Sequence, residues 1–347
     1  MALRKEEAYP VYGIEGWEFA SPYQEKISID ELTIHLCGFQ ARHDQLGEVV
    51  GSAAEPTAYP RQRAYYEALE RISILESLDR PTFSLKSMTD ASFVQHVPGD
   101  VIFPPSCPET NLGAESPPCQ YSKSNGVALH TSWEEACRRA CLELVERHLV
   151  LASWLGQIKP EIQHGTAAAS SLQGLSRHYV VVNIDFGQQE VSCFVDPICV
   201  SGVALLPKAE AAPLILGFGA GLTKKDSRAK AEAETLQRLG FLWGEEIPSQ
   251  EPDFAPTALY HQEYFLLPDA RDKIENWLNG GHVTRPGVPP RKPGCLSVQF
   301  ADLSCPKISD LWTAKAIAPA AIPLVFGRWT GHGFDTLPAE LLIHPIA

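Results

Sequence analysis

Three short segments repeat one order of acidic and basic residues: Glu67-Ala-Leu-Glu70-Arg71, Glu143-Leu-Val-Glu146-Arg147 and Glu234-Thr-Leu-Gln237-Arg238. Positions three apart on a helix share a face, so each segment aims two carboxyl or carboxamide groups one way, with an arginine alongside. Any one of them is most simply a solvated face or a local ion pair, which contributes little. Three in one chain point instead to a shared polar site. Carboxylates gathered from separate helices repel, and their pKa values rise unless cations join them. Hard oxygen donors so placed suit Mg2+, which keeps part of its water and shares its shell with phosphate oxygens. The arginines suit the phosphates, since a planar guanidinium forks onto them. These residues therefore point to a Mg2+–nucleotide cavity between helices.

The elements that must carry them are helices over Arg61–Leu78, Glu134–Trp154 and Asp226–Leu242. On the second helix, Glu135, Arg139, Glu143, Glu146 and Arg147 fall in a stripe roughly 120° wide. Leu142, Leu144, Val145, Leu149 and small residues fill most of the remaining arc, with Glu134 and Arg138 interrupting it near the start. A helix so apolar is buried, and its polar stripe must face a cavity, a ligand or another polar element. On the first helix Arg63, Glu67, Glu70 and Arg71 lie opposite Ala68, Leu69, Ile72 and Leu75, with Glu76 the exception. Glu135 has two readings, because Ser132-Trp-Glu-Glu135 also has capping-box spacing. Strand-like runs occupy Lys26–Phe39, Tyr179–Phe186, Glu190–Val200, Leu214–Phe218, Cys295–Phe300 and Ile322–Phe326. Without a regular βαβ alternation, an α+β fold is expected.

Composition narrows the function. The chain has 347 residues, 44% apolar, with a net charge of −13, which suits a globular protein and disfavours nucleic acid as a default partner. No signal peptide or membrane-length apolar run is visible. Nine cysteines without a CxxC pair fit buried thiols in a reducing cytoplasm better than a disulfide framework or a zinc site. Pro/Gly-rich loops are expected at Cys107–Cys119, Glu246–Thr257 and Val283–Gly294, with a helix ending at Gly280-Gly281 before the last. There is no Walker-type phosphate loop. Gly217-Phe-Gly219-Ala-Gly221 reads as a flexible strand-to-helix turn, whose amides would lie near a phosphate at the helix start.

Ser124-Asn125-Gly126-Val127-Ala128, with Glu135-Ala136 and Ala140-Cys-Leu-Glu143-Leu-Val-Glu146-Arg147, closely resembles the central signature of the YcaO family. Ala64-Tyr-Tyr-Glu67-Ala-Leu-Glu70-Arg71-Ile-Ser73 resembles its first signature. Gly217-Phe-Gly219 with Ala231-Glu-Ala-Glu234-Thr-Leu-Gln237 resembles its third. The likeness runs from about Ser52 onward and implies one YcaO-type domain over 1–347. Its nucleotide-binding core would span about 26–255, and 256–347 would complete the fold.

The resemblance further implies ATP-driven activation of a peptide backbone amide: a nucleophile adds to the carbonyl, the oxyanion is phosphorylated, and phosphate leaves with that oxygen. A Cys, Ser or Thr side chain as nucleophile gives an azoline, and an external sulfur donor gives a thioamide. A non-catalytic nucleotide-binding scaffold or regulator is the alternative of another class. Carried over by position, Glu67, Glu70, Glu143 and Glu146 would hold Mg2+. Arg71, Ser124, Asn125, Thr131, Glu135, Arg147, Glu234, Gln237 and Arg238 would contact ATP or metal. The chain departs from the family where a lysine often precedes helix one (Gly51-Ser52-Ala53 here), at Ala128, and at Phe241 in place of an arginine. The His344-Pro345-Ile346-Ala347 ending is a thin version of the proline-rich tail of azoline-forming members. It makes the carboxylate of Ala347 a candidate catalytic group. The implied partners are a ribosomally made precursor peptide, an E1-like or leader-peptide-binding protein and a flavin dehydrogenase.

Overall fold

The computed structural model describes residues 13–104, 119–165, 171–209, 212–255, 257–281, 294–328 and 342–346. An N-terminal sheet contains β1 (Glu18–Phe19), β2 (Tyr23–Ile29), β3 (Leu32–His43) and β4 (Gly47–Glu55), with β3 pairing all the others. Helix α1 (Arg61–Leu75) lies on β4 and is followed by β5 (Thr82–Lys86), β6 (Phe93–Pro98) and the short α2 (Gly99–Ile102). Then come β7 (Gln120–Tyr121), β8 (Val127–His130), α3 (Trp133–Trp154), β9 (Glu161–His164), β10 (Tyr179–Gln189), β11 (Ile198–Pro207), β12 (Ile215–Gly221) and α4 (Lys224–Leu242). The C-terminal part adds α5 (Ala258–Tyr264), α6 (Pro268–Leu278), β13 (Gln299–Asp302), β14 (Trp312–Ile317) and β15 (Val325–Phe326). Two further sheets run in the orders β6-β5-β13-β14-β8 and β12-β11-β10-β9, and β15 pairs β7. The expected α+β class is what forms, with antiparallel pairing between the named strands.

Helix α3 starts where Ser132 Oγ accepts the Glu135 amide at 3.3 Å, with Glu134 and Glu135 favourably placed at the positive helix end. Thr223 caps α4 in the same way, accepting from the Asp226 amide at 3.1 Å. Apolar on most sides, α3 is the centre of the largest core cluster, which also takes in β10–β12, α5, α6 and the tail residues Leu342, Ile343 and Ile346.

Several sequence expectations are corrected. Lys26–Phe39 is not one strand but the β2–β3 hairpin, turning at Asp30 with φ +50°, a conformation that Asp tolerates better than most residues. Residues 190–197 stay out of the sheet and β11 begins at Ile198, after the turn-forming Asp196-Pro197. Within 295–300 only Gln299–Phe300 belongs to a strand. Helix α1 stops at Leu75 rather than Leu78. The Gly217–Gly221 run is not a turn: it lies inside β12, and a Cβ at Gly217, Gly219 or Gly221 would come within 2.3–2.8 Å of α4 atoms. These glycines let a helix lie directly on a strand. The loops expected at Cys107–Cys119 and Val283–Gly294 lie almost wholly outside the described residues, as does Ala347.

Candidate nucleotide site

Each Glu/Arg segment belongs to a strand–helix unit, and the units share one wiring. In unit one (β4, α1) the Ser52 amide donates to Glu67 Oε2 at 2.9 Å, and Arg71 pairs with Glu67 at 2.6 Å. In unit two (β8, α3) the Val127 amide donates to Glu143, and Arg147 stands 3.6 Å from it. In unit three (β12, α4) the Phe218 amide donates to Glu234 Oε2 at 2.9 Å, and Arg238 pairs with Glu234 at 3.1 Å. The donor residue always follows a glycine (Gly51, Gly126, Gly217) that faces the helix, meeting Ala64, Ala140 or Ala231 three residues before the glutamate. Close approach of strand and helix thus brings a main-chain donor to each carboxylate.

The units also join in a ring. Helix α1 touches β8, α3 touches β12, and α4 returns to β4. Glu70 accepts the Leu129 amide of unit two at 3.0 Å, and Gln237 Nε2 donates to the Ser52 carbonyl of unit one at 3.3 Å. Glu146 holds the equivalent place between units two and three, buried, 3.5 Å from Arg147 Nε and in the field of Lys230.

Inside the ring is a cavity of about 530 Å³, lined on its polar side by Ser52, Glu67, Glu70, Arg71, Ser122, Ser124, Glu143, Arg147, Glu234, Gln237 and Arg238. Its apolar end is formed by Phe241, Ala258, Leu259, Leu324 and Phe326. A smaller recess shares Ser52, Glu67, Glu70 and Gln237 with it and adds Arg63 and Arg139. Burial and neighbouring carboxylates push Glu70 well above the usual carboxylate range. Burial likewise raises Glu143, against the pull of Arg147, and takes Glu146 to about 8. The arginines therefore leave the cavity short of positive charge.

Nine residues named from the sequence line this cavity: Glu67, Glu70, Arg71, Ser124, Glu143, Arg147, Glu234, Gln237 and Arg238. Glu146 lies just behind it. Glu135 and Thr131 do not reach it. The Glu135 carboxylate is gripped by Arg138 (2.6 Å twice) and Arg139 (2.8 Å), holding its pKa down to about 2, so its amide is capped but its side chain does not close a capping box. Glu135 meets the recess only through Arg139. Asn125 faces a neighbouring groove instead. Where the family often has an arginine, Phe241 contributes apolar surface, and Arg238 stands one turn nearer in the same cavity. The sequence reading missed Ser52, Ser122, Gln262 and the apolar end. The repeated glycine and alanine flanking each segment were the signal for the strand halves.

These residues fit ATP with Mg2+. Arg147 lines the cavity, and its buried Nε makes no hydrogen bond, standing 3.5 Å from Glu146, so its donors are not saturated by the protein. The excess of carboxylate calls for a cation. Among the described residues no three His, Cys, Asp or Glu side chains close a metal cage. Mg2+ is held by carboxylates together with phosphate oxygens and water.

The ring and its cavity define a nucleotide-binding protein of mixed α+β architecture. The family model described as YcaO cyclodehydratase, binding ATP and Mg2+, matches residues 96–303, well over half of the chain. This chain belongs to the YcaO family, and ATP and Mg2+ are its cofactors. The fold is similar to that of YcaO from Methanopyrus kandleri bound with AMPPCP and Mg2+, at 15% identity and TM-score 0.52 over 87% of this chain and 86% of that one. It is also similar to a chain of the E. coli microcin synthetase McbBCD complex (14% identity, TM-score 0.54, 92% and 91% covered). A heterocyclase in complex with substrate and cofactor matches at 15% identity and TM-score 0.55, covering 88% of this chain and half of that one. No curated protein matches the sequence.

Proposed function

We propose that this protein activates a backbone amide of a ribosomally made peptide by ATP-dependent phosphorylation, leading to cyclodehydration of a Cys, Ser or Thr residue to an azoline. The observation that carries this reading is the ring cavity, where Glu67, Glu143 and Glu234, each with its own arginine, converge from three helices. Bound there, ATP supplies the phosphoryl group and Mg2+ the positive charge that the carboxylates lack. Glu67, Glu70, Glu143 and Glu146 are assigned to Mg2+. Arg71, Arg147 and Arg238 are assigned to the phosphates, and the Phe241–Leu259–Phe326 end to the base. Each main-chain donor fixes a carboxylate before any ligand arrives, so little reorganisation remains at binding. Such a site supplies position and charge rather than a nucleophile, which is what phosphoryl transfer requires.

Azoline formation is favoured by the similar microcin synthetase complexes, one of which has pro-MccB17 bound. They also support a precursor peptide as substrate and partner proteins that deliver it. The test is phosphate release with Mg2+-ATP and the precursor peptide encoded beside the gene, with and without the neighbouring gene products. Wild type should release phosphate in a peptide-dependent way, and Glu143→Gln/Glu146→Gln should not. Peptide mass then separates the products: loss of water marks an azoline, exchange of oxygen for sulfur a thioamide. Nucleotide binding without any turnover would mark a regulatory protein instead.

A further inference from the structure

A second opening adjoins the nucleotide cavity. It is a groove of about 300 Å³ between α2 and the 318–324 segment, lined by Val101, Ile102, Tyr121, Leu144, Ile322 and Pro323 among others. Ser122 and Leu324 line both spaces, so the two adjoin at these residues. The groove is apolar apart from Ser122, Asn125 and Lys315. Lys315 is buried on β14, and its ammonium donates to the carbonyls of Lys123 at 3.0 Å and Asn125 at 2.8 Å. That clamp fixes the Ser124–Gly126 turn, whose two sides face different spaces: Ser124 the nucleotide cavity, Asn125 the groove. The Asn125 Oδ1 is buried and accepts no hydrogen bond. A buried acceptor without a donor is costly, and this one belongs to a residue of the groove's lining. Val101 stands at the mouth, 52% exposed.

We infer that this groove binds the substrate peptide, taking a large apolar side chain one or two residues from the amide being activated, with Asn125 Oδ1 accepting a peptide N–H. This rests on the amide-activating reading above and names the substrate feature that the site selects. The shared wall argues for a peptide, because an extended chain advances about 3.3 Å per residue and turns alternate side chains to opposite sides. A chain crossing at Ser122 and Leu324 can thus place one residue at the nucleotide cavity and its neighbour in the groove. Adenine is the less suitable occupant, since the nucleotide cavity has its own apolar end at Phe241, Leu259 and Phe326. The lining explains selectivity as well: a leucine side chain meets apolar surface, whereas the Lys315 ammonium is already engaged by two carbonyls, so a carboxylate would lose its water there for little return.

The test uses the full chain with Mg2+-AMPPCP and two pairs of synthetic peptides, acetyl-Gly-Leu-Cys-Gly-amide against its Leu→Asp analogue, and acetyl-Gly-Cys-Leu-Gly-amide against its analogue. Binding is followed by ligand-observed NMR. At least one leucine peptide should bind five-fold or more tighter than its aspartate analogue. Val101→Asp should abolish that preference and leave AMPPCP affinity unchanged, and the exposure of residue 101 makes the variant tolerable to the fold. Equal binding of leucine and aspartate peptides, or a preference that survives Val101→Asp, would overturn the assignment. Loss of AMPPCP affinity in Val101→Asp would assign the groove to the nucleotide and overturn it equally. Peptide preference without phosphate release from the wild type would retain the groove and reject the amide-activating reading.

Discussion

Among the site residues, Arg147 carries the most. It is the near cation of two carboxylates, the part-buried Glu143 and the buried Glu146, and its own side chain is 15% exposed. Arg71 pairs with Glu67 at a shorter distance but is 48% exposed. Solvent screening makes the shorter contact the weaker one energetically. Arg147→Met removes the cation that the two carboxyls share and is expected to cost about 1–3 kcal/mol in urea unfolding, because a group raised to about 8 meets the loss largely protonated, whereas Arg71→Met should cost about 0–1 kcal/mol. Equal losses would show that Arg147 does not hold the pair. The carboxylates also set a pH dependence. With pKa values raised in the folded protein, Glu70, Glu143 and Glu146 keep protons there that the unfolded chain has already lost. Without Mg2+, stability should therefore fall as pH rises from the ordinary carboxylate range to about 8, and Glu146→Gln should flatten that fall. Glu135 acts with the opposite sign: its contribution is present above the ordinary range and lost as pH drops toward 2. Urea midpoints at pH 6 and 8 in chelator check this, and an unchanged slope in Glu146→Gln would remove that residue as its source.

At the scale of the elements, the strand–helix contact is what places each glutamate. A Cβ at Gly217 would stand 2.3 Å from Thr235 Oγ1 and 2.7 Å from the Ala231 carbonyl, and α4 would have to lift away. Gly217→Ala is expected to cost about 1–3 kcal/mol as overpacking and to weaken nucleotide binding, because the Phe218 amide leaves Glu234. Gly174→Ala, where a Cβ meets nothing within 4 Å, is the control and should stay within about 0.5 kcal/mol. Titration of both variants with Mg2+-AMPPCP separates the two effects. Unimpaired binding in Gly217→Ala would show that the contact serves the fold alone.

At the scale of the whole molecule, the end of the chain is part of the core. Leu342, Ile343, His344 and Ile346 are buried, and His344 accepts the Ile346 amide while its Nε2 meets the Val325 carbonyl at 2.8 Å. Its backbone carbonyl holds His261, which in turn accepts from the Gly327 amide beside the cavity residue Phe326. Deleting 342–347 removes three apolar side chains worth about 1.5–3 kcal/mol each, a large share of a domain's total of about 5–15 kcal/mol. The truncated chain should melt well below wild type. A truncation that abolished activity at an unchanged melting temperature would make the tail a purely functional arm.

The sequence by itself determined the three helices, the carboxylate–arginine content of the site and the α+β class, because helical spacing and side-chain type are local properties. It did not show that β4 and β12 pack against those helices. Their Gly, Ala and Ser residues are poor strand formers, so Gly217–Gly221 read as a turn until pairing with β11 and contact with α4 overrode that preference. Tertiary structure also set the surroundings of Glu135, whose carboxylate is engaged by Arg138 and Arg139, and it turned Asn125 toward the groove. The order of the ring, α1 onto β8, α3 onto β12 and α4 back onto β4, was likewise beyond the sequence. Such contacts join residues far apart in the chain, and only the packed core brings them together.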